Sequence, residues 1–80
     1  MIVFAMQPDV VVDARGFCSP IPLMRARSRL MRLKPGQILE LITTDKKTKH
    51  ELHVWAFTMG YEIIDIVEEG KEIHIFIRKK

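Results

Sequence analysis

Hydrophobic residues in this 80-residue chain fall into six short patterned stretches separated by turn-forming residues. Gly16, Lys34-Pro35-Gly36, Asp45, Gly60 and Glu69-Gly70 supply the breaks, since glycine reaches positive φ and proline lacks the amide that a helix interior or ladder needs. Val10-Val11-Val12 is a β-branched run and predicts a strand. From Pro20 to Leu33, Leu23, Ala26, Leu30 and Leu33 are spaced by 3, 4 and 3, the period of an amphipathic helix. Pro20 suits the first helical position and Pro35-Gly36 closes the segment. Ile38–Thr43 is rich in β-formers and predicts a second strand. A second helix ends at Met59, with Leu52, Trp55, Ala56 and Met59 on one stripe and Gly60 as its C′ residue. Two starts fit it, Asp45 as a cap or Thr48 with Glu51 as a capping box. Strands over 61–67 and 72–77 follow, joined by Glu69-Gly70 as a hairpin. In the last strand Ile73, Ile75 and Ile77 share one face, and His74 and Phe76 the other.

The order β-α-β-α-β-β, with right-handed crossovers, puts both helices on one face of the sheet. The expected fold is α/β (α+β), a two-layer sandwich whose second sheet face is bare, which makes Phe76 a candidate for partner contact. The length suits one small domain over residues 9–80, preceded by residues 1–8 as a loose arm or an extra edge strand. The opening Ile2-Val3-Phe4-Ala5-Met6 is too short for a membrane span and lacks the cationic start of a signal peptide. A cytoplasmic protein away from membranes is expected.

At 48% hydrophobic and 29% charged, the composition excludes disorder. The net charge of +3 permits nucleic acid or an acidic protein surface as partner and selects neither. Charge is divided along the chain. Residues 1–34 carry six cations against two carboxylates, and residues 60–77 carry five carboxylates against Lys71. These five read as solvated, and Lys46-Lys47-x-Lys49 as a solvated helix start. His50, His53 and His74 lack a third ligand at a metal-binding spacing, so neither a metal nor another cofactor is expected. Trp55, Met24 and Met31 are expected in the core, the methionines with a contact surface as their alternative.

The single cysteine excludes an internal disulfide framework, leaving Cys18 as buried filler or a reactive thiol. With Pro20 at the first helical position, Ser19 is the N-cap and Cys18 the residue just outside. There four free N–H groups and the dipole end favour a thiolate. Arg15, and Arg25 or Arg27 on the helix, add positive charge nearby, and Gly16 lets the loop bend. The structural alternative is equally open: Ser-Pro only starts a helix, and Cys18 packs on Leu23 as a hydrophobic staple.

Asp13-x-x-Gly16-x-x-Ser19-Pro20-x-Pro22-Leu23 is followed by Leu30-x-x-Leu33-x-Pro35-Gly36, Thr44-Asp45, Trp55-Ala56 and Gly60-Tyr61-Glu62. In this order and spacing the landmarks resemble the TusA/SirA-like sulfur-carrier family over about residues 9–78. The resemblance implies a βαβαββ sandwich on a four-stranded mixed sheet of order 1-2-4-3, the last strand antiparallel. It also implies a persulfide-carrying cysteine at the start of the first helix. Sulfur would come from a cysteine desulfurase or rhodanese-like donor and pass to acceptors in tRNA thiolation, molybdenum-cofactor biosynthesis or sulfur oxidation. The implied partners are these donor and acceptor proteins and the tRNA-modification machinery, met by a shuttling monomer without a cofactor. Asp13, Arg15, Gly16, Pro20 and Pro22 would support the loop, and Arg25, Arg27 and Arg29 would dock an acidic partner.

The family signature is Cys-Pro-x-Pro, and Ser19 stands here in its cysteine slot, one residue after Cys18. A hydroxyl cannot carry sulfane sulfur, because persulfide formation needs a thiolate. Three readings follow: Cys18 works from the neighbouring position, Ser19 is an engineered replacement of the reactive cysteine that leaves Cys18 incidental, or sulfur transfer is lost and the fold is kept for binding alone. The alternative function is an RNA-binding or protein-interaction module. Its support is the basic first helix, the tail Arg78-Lys79-Lys80, and similarity of this fold to the C-terminal domain of a translation initiation factor. The anionic hairpin and the absence of aromatics among basic strand residues oppose it.

Overall fold

The computed structural model describes residues 7–80. The arm or edge strand expected of residues 1–8 falls, for residues 1–6, outside the described residues. The elements are β1 (Val10–Ala14), α1 (Ile21–Leu30), β2 (Ile38–Thr43), α2 (Lys46–Met59), β3 (Glu62–Glu69) and β4 (Glu72–Arg78). They form one sheet of order β1-β2-β4-β3. β1 is parallel to β2, with Val12 beside Leu41, and β4 is antiparallel to both its neighbours. Adjacent parallel strands cannot be joined by a tight turn, so α1 crosses over between β1 and β2. The connection through α2 skips one strand position, and the β3–β4 hairpin returns the chain into that slot. This is the two-layer α+β sandwich expected from the pattern.

One sheet face meets both helices. Val12, Ala14, Leu39, Leu41, Ile73, Ile75 and Ile77 pack with Ala26 and Leu30 of α1 and Leu52 of α2. In β3, Ile63 and Ile66 both reach this core, although a spacing of three puts residues of a regular strand on opposite faces. An irregularity in the pairing between Ile63 and Asp65 resolves the conflict by absorbing one extra residue.

Several boundaries and environments differ from the sequence reading. α1 ends at Leu30 rather than Leu33, because the Arg32 and Leu33 amides tighten onto the Arg29 and Leu30 carbonyls three residues back. The Lys79 Nζ donates to the Leu30 carbonyl at 2.9 Å, a cation at the negative end of the helix. α1 buries only Pro22, Ala26 and Leu30. That narrow stripe leaves Leu23 and Leu33 half-buried and Met24 and Met31 exposed, so the methionines are surface and not core. Met59 is likewise exposed at the end of α2, where Gly60 at φ 78 turns the chain and the Tyr61 amide returns to the Ala56 carbonyl at 2.8 Å. Trp55 is half-buried at the core's edge, its ring edge-on to Tyr61 at 5.4 Å.

The hairpin pairing closes at Glu69 opposite Glu72, so Gly70-Lys71 is the two-residue turn, one position later than expected. The second sheet face is not bare where β4 crosses it. Phe76 is 1% exposed, and Glu40 and His74 are also buried. β4 is an inner strand, with Glu40 and Asp65 beside Phe76 on either side, which withdraws Phe76 as a contact candidate.

Leu41 sits at the sheet centre with no exposed surface, whereas Met31 is 67% exposed. Leu41→Ala is expected to cost about 2–5 kcal/mol in urea unfolding. Met31→Ala should stay within about 0.5 kcal/mol.

Candidate functional site

Because β1 and β2 are parallel neighbours, the loops leaving their carboxyl ends lie at one edge of the sheet. The first loop, residues 15–20, carries the chemistry-bearing stretch, and the second contains Thr44 and Asp45. Two bonds join them. The Gly16 amide donates to Thr44 Oγ1 at 3.0 Å, and the Ser19 amide donates to Asp45 Oδ2 at 2.7 Å. Gly16 turns at φ 84, a conformation that a side chain would strain, and the Ser19–Pro20 peptide bond is cis.

The helix start is displaced from the sequence reading. Pro20 is the N-cap, with φ −96, and no side chain caps the helix. Ser19 therefore lies one residue before this cap and Cys18 two, so neither is the N-cap or the staple expected. The two prolines are the reason. Pro20 and Pro22 have no N–H, and the Ile21 amide donates to the Cys18 carbonyl at 3.0 Å. Of the four donors expected at this helix start, only the Leu23 amide has no protein acceptor among the described residues. The pull on an anion is correspondingly smaller than the sequence suggested. Cys18 itself is exposed on the loop rather than buried filler. Its neighbour Phe17 lies under the Arg25 guanidinium, 4.2 Å from the ring centroid.

Arg15 was expected to lend positive charge to the thiol. Instead its Nε and Nη2 donate to the two Asp13 carboxylate oxygens at 3.0 and 2.7 Å. Its Nη1 donates to Glu72 Oε2 at 3.1 Å. The guanidinium is thus shared between two carboxylates and clasps the loop to β1 and β4. Side-chain and backbone hydrogen bonds from Arg15 lower the Asp13 carboxyl to about 2. The Arg15 bond also leads in lowering Glu72, and the Arg15 guanidinium is held still more firmly protonated by Asp13 and Glu72.

Asp45 is the N-cap of α2, accepting from the Lys47 amide at 3.3 Å and the Thr48 hydroxyl at 3.1 Å as well as from Ser19. Burial pushes its carboxyl up. The donors from Ser19, Lys47 and Thr48 pull it down further, and it ends below the ordinary range. With Thr48 turned to Asp45, the capping box with Glu51 does not form. Glu51 reaches across to accept a hydrogen bond from the Ser19 hydroxyl. A hydroxyl donates well to a carboxylate, while a thiol in the same place would ionise against a neighbouring negative charge. Sequence reasoning missed Thr44, Asp45, Glu51 and Glu72 as site residues, having read Asp45 only as a helix cap and Thr44 only as part of a landmark. Glu51 looked like a local capping partner and Glu72 like a solvated acid, and only tertiary contact brings them to this loop.

The three docking arginines are all exposed but do not share one face. Arg25 and Arg29, four residues apart, line one pocket with Asp13, Arg25 also covering Phe17, while Arg27 lies 5.6 Å from the Trp55 ring centroid on the α2 side. In the tail, Arg78 pairs with Glu62 at 2.8 Å and Lys79 with the Leu30 carbonyl, so two of the three cations cited for RNA binding have internal partners. Of the hairpin acids, Glu62, Asp65, Glu68 and Glu69 are exposed as expected, Glu62 and Glu68 within surface ion pairs, Glu68 with Lys49 at 3.0 Å, and only Glu72 is half-buried. His50 and His53 are exposed on α2, and His74 is buried on β4. Among the described residues no three His, Cys, Asp or Glu side chains converge to hold a metal ion, and no helix is long and apolar enough to cross a membrane.

The Asp13 carboxyl is lowered on folding, so its contribution is present above its ordinary value near 3.8 and is lost as pH falls toward about 2. Asp13→Asn should therefore flatten the loss of unfolding free energy between these pH values, measured by urea titration. Asp45→Ala removes the α2 cap and the Ser19 acceptor together, and is expected to cost about 0.5–2 kcal/mol in the same assay.

Comparison with known proteins agrees with this architecture. The family model described as Sulfurtransferase TusA matches residues 10–79. The putative sulfur carrier protein YrkI of Bacillus subtilis is 35% identical over 74 residues, covering 92% of this chain and 99% of the relative. The putative sulfur carrier protein YrkF of the same organism is also 35% identical over 74 residues, and the chain spans only 40% of its length. Sulfur carrier protein TusA of Allochromatium vinosum is 34% identical over 71 residues, or 89% of this chain and 93% of that one. The crystal structure of a SirA-like protein from Desulfitobacterium hafniense superposes with a TM-score of 0.78 at 25% identity, covering 86% of this chain and 95% of the other.

Proposed function

The chain belongs to the TusA sulfurtransferase family, and from that premise we propose that it is a sulfur carrier in which Cys18 holds sulfane sulfur as a persulfide. The observation that carries this reading is the exposure of Cys18, the one thiol of the sequence, on the loop between β1 and α1. A carrier thiol must reach into a donor's site and then an acceptor's, and an exposed loop residue meets that requirement.

Loading is an exchange of one S–S bond for another. The Cys18 thiolate attacks the outer sulfur of a donor persulfide, the donor's S–S bond breaks, and the donor leaves as a thiolate. The product, Cys18–S–SH, is unloaded by the same exchange when an acceptor thiolate attacks the outer sulfur and Cys18 leaves. No net oxidation occurs, so no cofactor is needed. Ser19 takes no part in the bond changes; its hydroxyl and amide hold the loop to Glu51 and Asp45 beside the thiol.

The donor is proposed to be a cysteine desulfurase or rhodanese-like persulfide, and the acceptor a component of tRNA thiolation or another branch of sulfur metabolism. Arg29 and the exposed part of α1 would meet an acidic partner surface, where charges of this kind mainly raise the association rate. A monomer in a reducing cytoplasm fits a shuttle whose thiol must stay free.

Incubation of the protein with a sulfane donor, read by intact mass, should add one sulfur atom to the wild type and none to Cys18→Ala. Wild type that stays unmodified with several donors, while Ser19→Cys gains the sulfur, would show that only position 19 is competent and that this chain is not a carrier.

A further inference from the structure

The buried histidine of β4 is connected to the loop that carries Cys18 by an unbroken line of charged side chains. His74 Nδ1 lies 2.6 Å from Glu40 Oε2, and its Nε2 lies 3.2 Å from Glu72 Oε1. The other oxygen of Glu72 accepts from Arg15, whose remaining nitrogens grip Asp13. We propose that His74 and Glu72 are positioning residues that set the Cys18 loop through Arg15, and that this setting depends on the proton at His74 Nε2.

Hydrogen-bond chemistry supports the assignment. A neutral imidazole has one N–H and one lone pair, so it can satisfy only one of two flanking carboxylates, while the imidazolium satisfies both. Glu40 is buried at 6% exposure, and its contact with Nδ1 is the shorter one. The Nε2 contact is longer, and the Glu72 side chain is 37% exposed. In a neutral ring the N–H that remains is therefore the one on Nδ1, against buried Glu40. A lone pair then faces the Glu72 oxygen, the contact becomes repulsive, and Glu72 swings outward and loosens its bond to Arg15. Asp13 still holds Arg15 to β1, but the tie from the loop to β4 is lost.

Among the described residues, the charged groups facing His74 are Glu40 on β2 and Glu72 on β4 itself, with Arg15 and Asp13 reached beyond Glu72. On β3, uncharged Val67 lies directly opposite His74, with Asp65 and Glu69 two residues to either side. Both Arg15 and Glu72 are partly exposed, so the ion pair between them is worth little, and its loss changes loop opening by about twofold to fivefold at most.

The consequence for sulfur transfer rests on the carrier role proposed for Cys18, whereas the loop coupling does not, and the experiment separates them. On the full chain, NMR follows the His74 ring, resolved from exposed His50 and His53, together with hydrogen exchange at the Gly16 and Phe17 amides across pH. In parallel, Cys18 is alkylated with iodoacetamide and its rate is corrected for thiolate fraction. Loop protection should fall by about twofold to fivefold as His74 loses its proton, with a matching step in the alkylation rate. Glu72→Gln, at a partly exposed position that leaves the core intact, should abolish both steps while His74 still titrates. The proposal is overturned by a loop indifferent to His74, by the same steps persisting in Glu72→Gln, or by a His74 that keeps one charge throughout the native range. Steps that are present in a protein that never accepts sulfur would sink the carrier role and leave the coupling standing.

Discussion

Parallel pairing of β1 and β2 is the constraint from which the site follows. Two parallel neighbours direct their carboxyl ends to the same edge, so the starts of α1 and α2 must lie side by side. At that junction one carboxylate, Asp45, accepts from the Ser19 amide on one loop and from Lys47 and Thr48 on the other. A helix cap has thereby become a joint between two loops. The first loop is short of donors of its own because two prolines open α1, and the joint compensates by ordering it from outside.

The serine and cysteine at positions 19 and 18 are explained by what surrounds them. Position 19 points its side chain at Glu51, a carboxylate that welcomes a hydroxyl donor and resists a second negative charge. Position 18 lies one residue further from the helix and is exposed to solvent.

Charge on this molecule is spent internally more than the linear sequence implies. The basic first third and the acidic hairpin, separate in sequence, meet in space through Arg15–Glu72, and Lys49–Glu68 and Arg78–Glu62 draw further cations to the hairpin. Arg25 and Arg27 are drawn toward aromatic rings, and Lys79 toward a helix end. What remains for a partner is a patchwork on α1 with exposed Met24 and Met31, suited to a protein surface better than to a phosphate backbone.

Periodicity and turn chemistry alone determined the element order, the layer arrangement and most of the core, because apolar spacing must match the helix or strand that buries it. Leu30, Leu41, Leu52 and the isoleucines of β4 are legible in that way, and so is Gly60, whose left-handed turn few other residues tolerate. The loop around Cys18 stands out as a candidate site from its residue types and their resemblance to a known pattern. Its electrostatics were not legible in that way. Whether Glu51 caps its own helix or reaches Ser19, and whether Arg15 faces the thiol or Glu72, are decided by residues 32 and 57 positions apart in the chain. Local rules see neighbours along the backbone, while hydrogen bonds between side chains depend on which strands end up adjacent, and only the closed sheet decides that.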